Sequence, residues 1–337
     1  MPDPIVTVVV PTLAAGAPLL DCVYALDRQT QPRVEIVVVD NSGRGLARQS
    51  AAARLASRII EFEGNRGFGA AVNAGFLSSR APYLATINDD AVAHPQWLER
   101  LVAAMESEPG VGMCASQIRL AGQDLLDSAG MLVSGDGSSK QRGQFQPPGR
   151  YARREEVLFP SACAALYRRQ MLEEVGFFDE DFFLYCEDTD LGLRARWAGW
   201  KCLYVPEAVV EHGYSKTAGR ASPLKAFYVE RNRLFVLLKN YPARMLWKAP
   251  FFSVARYGWH LLAMLANEGL AAQFRASGHH PLEMAFLVAR AHFALLFHLP
   301  ALVRKRRQVL ARARISEDEF CALVRTHWIS PRQVASL

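Results

Sequence analysis

The sequence is poor in the features that announce several protein classes. Six cysteines are scattered over 337 residues (Cys22, Cys114, Cys163, Cys186, Cys202 and Cys321), and no two form a C-x-x-C pair. That scatter argues against a zinc knuckle or a disulfide framework and fits a reducing compartment. The chain opens without a basic flank and a long apolar stretch; Pro2-Asp3-Pro4 runs straight into a short apolar segment. A secretory leader is therefore not expected, and the folded chain is expected in the cytoplasm. Strong charge of one sign is also missing, since the formal net charge is only +6. No nucleic-acid partner is expected from so mild a balance.

What is present describes a folded protein. Half of the residues are hydrophobic, enough for a real core. The length exceeds what one core usually fills, so a domain over 1–220 and a helical appendage over 221–337 are expected. Basic residues gather late, at Arg304-Lys305-Arg306-Arg307, Arg312 and Arg314. They make either a solvated helix face or a contact with an anionic membrane surface.

The first third alternates short apolar runs with amphipathic segments. Strands are expected at 5–10, 34–39, 58–62 and 83–87, and helices at 19–29, 67–79 and 95–108. Unbroken apolar strands imply burial on both faces, so the expected fold is α/β: a mostly parallel, Rossmann-like sheet flanked by helices. Residues 119–157, rich in Gly, Ser, Gln and Pro, read as a long loop excursion. After about Leu224 the pattern turns helical. Segment 284–303 is apolar, yet it holds Arg290, His292, His298 and Pro300. A mid-span arginine costs about 2.5 to 3.5 kcal/mol on insertion scales, which favours a packed or surface-lying helix over a membrane span.

Several polar clusters could carry chemistry. Asp40-Asn41-Ser42, Gly64-Asn65-Arg66-Gly67 and Asn88-Asp89-Asp90 each follow a strand, where α/β folds collect ligands. The Asn88–Asp90 oxygens suit a hard divalent cation gripping phosphate, or form an Asx turn. Asp40 either accepts from a nucleotide's base or ribose or caps a turn. Gly67-Phe68-Gly69 opens like a dinucleotide fingerprint, but Val72 takes the third glycine's place, so small residues there permit close backbone approach instead. Glu187-Asp188-Thr189-Asp190 sits at the mouth of a helix, as caps or with one carboxylate as a general base. His212 is either a packing residue or a metal ligand.

Read in order, Val6-Thr7-Val8-Val9-Val10-Pro11-Thr12, Val37-Val38-Val39-Asp40-Asn41-Ser42, Asn65-Arg66-Gly67-Phe68-Gly69-Ala70-Ala71-Val72-Asn73-Ala74-Gly75, Asn88-Asp89-Asp90 and Glu187-Asp188-Thr189-Asp190-Leu191 resemble family 2 glycosyltransferases of the GT-A fold. The Asn-Arg-Gly-Phe-Gly form is most similar to a rhamnosyltransferase branch, and the resemblance covers roughly residues 5–240. It implies an inverting, metal-dependent transferase in bacterial cell-surface polysaccharide synthesis. Its partners would be a nucleotide-diphosphate sugar and a glycan or lipid-linked acceptor, and its place the inner face of the cell membrane. Asp188 would be the base with Glu187 beside it. Asp90, helped by Asp89, and His212 would bind Mg or Mn. Pro11, Thr12, Asp40, Asn65, Gly67, Gly69, Asn73, Asn88, Asp89 and Arg231 would contact substrate. Asn88 stands where the family often has aspartate. Two rivals are a sugar nucleotidyltransferase, whose glycine-rich loop is not evident in Pro11–Ala17, and a membrane-associated scaffold without catalysis.

Overall fold

The computed structural model describes residues 3–213, 222–267 and 269–336. The expected boundary at 220/221 lies outside the described residues. In chain order the first elements are β1 (Val6–Thr12), α1 (Ala17–Asp27), β2 (Val34–Asp40), α2 (Leu46–Gln49), β3 (Arg58–Glu61), α3 (Phe68–Leu77), β4 (Tyr83–Ile87), β5 (Ala91–Ala93), α4 (Trp97–Ser107) and β6 (Val111–Leu120). Then come β7 (Leu126–Ser128), β8 (Met131–Val133), β9 (Ser139–Gln141), β10 (Glu155–Val157), β11 (Ala164–Arg168), α5 (Arg169–Val175), α6 (Glu187–Trp197) and β12 (Lys201–His212). Helices α7 (Pro223–Asn240), α8 (Ala243–Leu246), α9 (Ala249–Leu265), α10 (Gly269–Ala276), α11 (Pro281–Ala311), α12 (Glu317–Thr326) and α13 (Pro331–Ser336) complete the chain.

Two compact units result. The first comprises 1–131, 141–183 and 199–214; the second draws 132–140 and 184–198 out of the middle of the chain and joins them to 215–337.

The first unit is built on a ten-stranded sheet with the main order β10-β12-β6-β11-β4-β1-β2-β3. Strands β3, β2, β1 and β4 are parallel, as their unbroken apolar character demands, and β12 pairs parallel with β6. Between these halves β11 runs antiparallel to both β4 and β6. Val6, Val8 and Val10 from β1 pack with Leu19, Cys22 and Leu26 of α1 and with Trp97, Leu98 and Leu101 of α4. Parallel pairing brings the carboxyl ends of β2, β1 and β4 to one sheet edge, with Thr12 in register with Asp40.

The stretch read as a loop over 119–157 is instead partly ordered into β7, the β8–β9 hairpin and β10. Strands of three residues are too short to display alternation, and sheet edges supply the order that local sequence lacks. Strand β12 has a pairing irregularity between Val205 and Val209, where Pro206 interrupts the pattern.

In the second unit α7 packs along α11, and α9 along α10 and α13. Trp197 at the end of α6 stacks on Phe320 of α12, ring centroids 4.1 Å apart, and its indole donates to Asn240 O at 2.8 Å. Arg306 donates to the carbonyls of Leu238 and Tyr241 at the end of α7, so part of the basic run is internal, whereas Arg304, Arg307, Arg312 and Arg314 are exposed.

Helix α11 buries Leu287, Ala291, Leu302 and Val309 and carries a second apolar stripe outward. Arg290 lies over the Phe227 ring of α7 at 4.4 Å, and the His298 ring meets Phe235 of α7 at 5.0 Å. The outward stripe is Leu282, Phe286, Phe293, Leu296 and Phe297, the last 74% exposed. Helix α9 repeats the arrangement with Phe251, Val254, Leu261, Leu262 and Leu265 exposed. By length and composition the Leu282–Ala311 part of α11 is able to cross a membrane.

Candidate functional site

Chemistry-bearing residues concentrate at the strand ends of the first unit. Thr12 Oγ1 donates to Asp89 Oδ2 at 2.6 Å, tying the end of β1 to the loop after β4. Burial pushes the Asp89 carboxyl above its ordinary range, and the Thr12 hydrogen bond works against that rise. Pro11 precedes Thr12 and is in register with Val39 of β2.

Asp90 and His212 are brought together across 122 residues of sequence. Strand β5, directly after Asp90, pairs with the end of β12, and Gly213 N donates to Asp90 O at 2.9 Å. As a result His212 Nε2 lies 3.2 Å from Asp90 Oδ1, and Asn88 Nδ2 is 3.5 Å from the same ring nitrogen. His212 Nδ1 lies 2.8 Å from Asp127 Oδ2, both groups being buried. Burial opposes charge on this imidazole, but Cys163, Asp127 and Asp90 around it more than offset that and hold its pKa well above the usual value.

A carboxylate on one ring nitrogen, leaving the other aimed at a second carboxylate, is how proteins fix a metal-binding histidine. Among the described residues no three His, Cys, Asp or Glu side chains gather into a metal site. Two groups, Asp90 and His212, lie close enough together to hold a cation. That number fits Mg or Mn, which keeps waters and takes phosphate oxygens from substrate to fill its shell. Asp127 falls within the segment read as a loop, and nothing in its local sequence marked it.

Other expected contacts are engaged by the protein itself. Asp40 Oδ1 accepts from Ser42 N at 2.9 Å, and Oδ2 from Ala47 N at 2.7 Å. These bonds, with that from the Ser42 hydroxyl, overcome the cost of burial and lower the Asp40 pKa. Asn65 Oδ1 accepts from Asn41 Nδ2 and from Gly67 N. Gly67 has φ +88°, and a Cβ there would stand 2.3 Å from Phe183 O; at Gly69 it would meet Phe178 at 3.2 Å. The close approach these glycines allow is thus made by segment 178–183. Asn73 clasps the same segment, exchanging hydrogen bonds with Phe178 N and O.

In the second unit, Glu187 and Asp188 open α6 after a strained turn. Tyr185 and Cys186 adopt φ of 69° and 66°, values that cost non-glycine residues about 1–3 kcal/mol each. Asn232 of α7 fastens the turn, its amide donating to Leu184 O at 2.8 Å and Tyr185 O at 2.7 Å. Arg231 Nε donates to Asn232 Oδ1 at 2.8 Å, and its guanidinium lies over the Tyr228 and Phe235 rings. Asp188 Oδ1 accepts from Thr189 N at 2.7 Å. Glu187 is buried, and its Oε2 has no hydrogen-bond partner among the described residues. Desolvation, then the neighbouring Asp188 charge, raises its pKa to about 8, so the favourable field of the helix N-terminus is outweighed.

Solved structures place this architecture. A Pyrobaculum calidifontis mannosyltransferase, PcManGT, in complex with GDP-Man and Mn2+, superposes with a TM-score of 0.52 at 19% identity, covering 92% of this chain and 86% of its own. GalNAc-T7 with UDP, GalNAc and Mn2+ superposes with a TM-score of 0.60 at 15% identity, covering 77% of this chain and 51% of that one. The fold is GT-A, and the class is that of glycosyltransferase enzymes. The family model for glycosyl transferase family 2 matches residues 7–176, and the chain belongs to that family. A Mycobacterium tuberculosis N-acetylglucosaminyl-diphospho-decaprenol L-rhamnosyltransferase is 28% identical over 270 residues, 73% of this chain and 87% of the relative. The Salmonella anatum O-antigen chain rhamnosyltransferase WbaN is 23% identical over 219 residues, 64% of this chain and 68% of the relative.

Proposed function

We propose that this chain is a metal-dependent inverting transferase that moves a sugar, rhamnose by its likeness to the curated relatives, from a nucleotide-diphosphate donor to an acceptor hydroxyl in cell-surface polysaccharide synthesis. The observation that carries this reading is the Asp90–His212–Asp127 arrangement at the strand ends of a GT-A sheet. Asp90 and His212 are the residues that would hold Mg or Mn, which would supply charge neutralisation for a departing diphosphate. Asn88, Asp89 and Thr12 shape the loop that presents Asp90.

Asp188 takes the proton of the acceptor hydroxyl as its oxygen attacks the anomeric carbon, and the carbon–oxygen bond to the diphosphate breaks on the opposite face. One displacement inverts the centre. The strained turn before α6, fastened by Asn232, fixes where Asp188 points. Residues 1–220 form the catalytic part, and 221–337 lie against the inner face of the cell membrane. The outward apolar stripes of α9 and α11 enter the lipid, while Arg304, Arg307, Arg312 and Arg314 face anionic headgroups.

The test is transfer from dTDP-rhamnose to a lipid-diphosphate sugar by purified protein with Mn. Asp188→Asn is expected to bind donor normally while transfer falls by about 10² to 10⁴, and excess chelator abolishes turnover. Normal transfer by the variant removes Asp188 from the base role, and full activity in chelator removes the cation.

A further inference from the structure

Residues 132–140 leave the middle of the chain to join the second unit, and the tip of the β8–β9 hairpin is buried from Ser134 to Ser138. Its small residues let a polar turn fit there. Gly137 has φ +82°, and a Cβ would stand 2.3 Å from Arg233 O of α7; at Gly135 it would meet the Phe252 ring of α9 at 2.4 Å. Asp136 accepts from Arg256 Nε of α9 at 2.5 Å, and its backbone carbonyl accepts from Arg233 Nη1 at 2.9 Å. The Tyr241 hydroxyl donates to Ser134 O at 2.7 Å. A buried turn held by side chains of α7, α9 and Tyr241 is fixed, and so is the strand that leaves it.

That strand begins with Ser139, and Ser139 meets α6. Its hydroxyl lies 2.8 Å from the Thr189 hydroxyl. Thr189 is fully buried and is the third residue of α6, where a backbone N–H has no partner within the helix. Asp188 Oδ1 accepts that N–H at 2.7 Å and the Thr189 hydroxyl at 3.3 Å. A hydroxyl has one proton to give. With the Thr189 proton turned to Asp188, the Ser139 proton points to Thr189 Oγ1, so the donors run in one direction, from the hairpin to the carboxylate.

We propose that Thr189 and Ser139 are positioning residues for the base: the Ser139–Thr189 hydroxyl chain and the Thr189 N–H hold Asp188 Oδ1 against the start of α6, and so set the direction from which the carboxylate meets the acceptor hydroxyl. The inference rests on the reading of Asp188 as the base and adds what aims it. Aim matters because a misplacement of about 1 Å costs about a hundredfold in rate. Ser139 acts only through Thr189, and it is held in turn by the buried tip of its hairpin.

Steady-state transfer from dTDP-rhamnose to a lipid-diphosphate sugar by the full chain tests this, with kcat and both KM values separated. Thr189→Val is expected to lower kcat about 10- to 100-fold and leave the donor and acceptor KM unchanged. Thr189→Ser restores most of the rate, and Ser139→Ala gives a smaller loss than Thr189→Val. Because Thr189→Val leaves the Ser139 hydroxyl without this partner, the fold is controlled with Ser139→Ala/Thr189→Val, which removes both. That double variant should melt near the wild-type temperature and be as slow as Thr189→Val alone. On an Asp188→Asn background, Thr189→Val should cost nothing more. Wild-type kcat in the double variant overturns the proposal. So does a loss carried by KM, or a Thr189→Ser chain as slow as Thr189→Val. If Asp188→Asn transfers sugar normally, the base reading falls and this one with it; if Asp188→Asn is inactive while Thr189→Val turns over at the wild-type rate, only the positioning role falls.

Discussion

Two carboxylates three residues apart on α6 are treated in opposite ways. Asp190 is fully buried and receives Arg194 Nε at 2.8 Å, Lys239 Nζ at 2.9 Å and Asn240 Nδ2 at 2.9 Å. Glu187, also buried, has an oxygen with no partner and a pKa raised to about 8. The strand-end cluster repeats the contrast, with Asp40 saturated by its own loop and Asp90 aimed at a histidine that Asp127 holds in place. Asp190 and Asp40 have donors supplied by the chain itself, whereas Glu187 Oε2 has none among the described residues.

The sharpest way to break the comparison is at Asp190. Asp190→Ala strands Arg194 and Lys239 as buried cations and is expected to cost about 3–5 kcal/mol in denaturant unfolding; a stable but inactive variant would move Asp190 from fold to site. Next, Asp127→Asn keeps the shape but weakens the hold on His212. The Mn concentration for half-maximal activity should rise about 10- to 100-fold, with a melting temperature close to wild type.

Glu187→Gln bears on pH. Because the folded-state pKa of about 8 exceeds the ordinary 4.5, the contribution of Glu187 to stability is complete below pH 4.5 and is lost as pH rises to 8. The wild-type stability should fall across that window by up to about 1.4 kcal/mol per pH unit from this group. The glutamine variant should flatten the slope, and identical pH–stability curves for the two proteins would show that Glu187 is not held protonated.

Much of the catalytic fold was legible in advance. Runs such as Val34–Val39 and Tyr83–Ile87 are continuous and apolar, and only a doubly covered parallel sheet buries such runs. The ordered motifs were enough to indicate the family. By contrast, Asp127 drew no attention, since it acquires its role from His212, a partner far away in the chain. Gly67 and Gly69 were visible as places of close approach, but which chain would approach was not.

The sequence by itself determined the strands β1 to β4, the helix that starts at Glu187 and the polar clusters at strand ends, because periodicity and local chemistry act over a few residues. The tertiary structure alone decided which carboxylates are satisfied and which face of α11 meets α7. Those outcomes depend on burial and on pairings between residues far apart in the chain, and no local pattern encodes them.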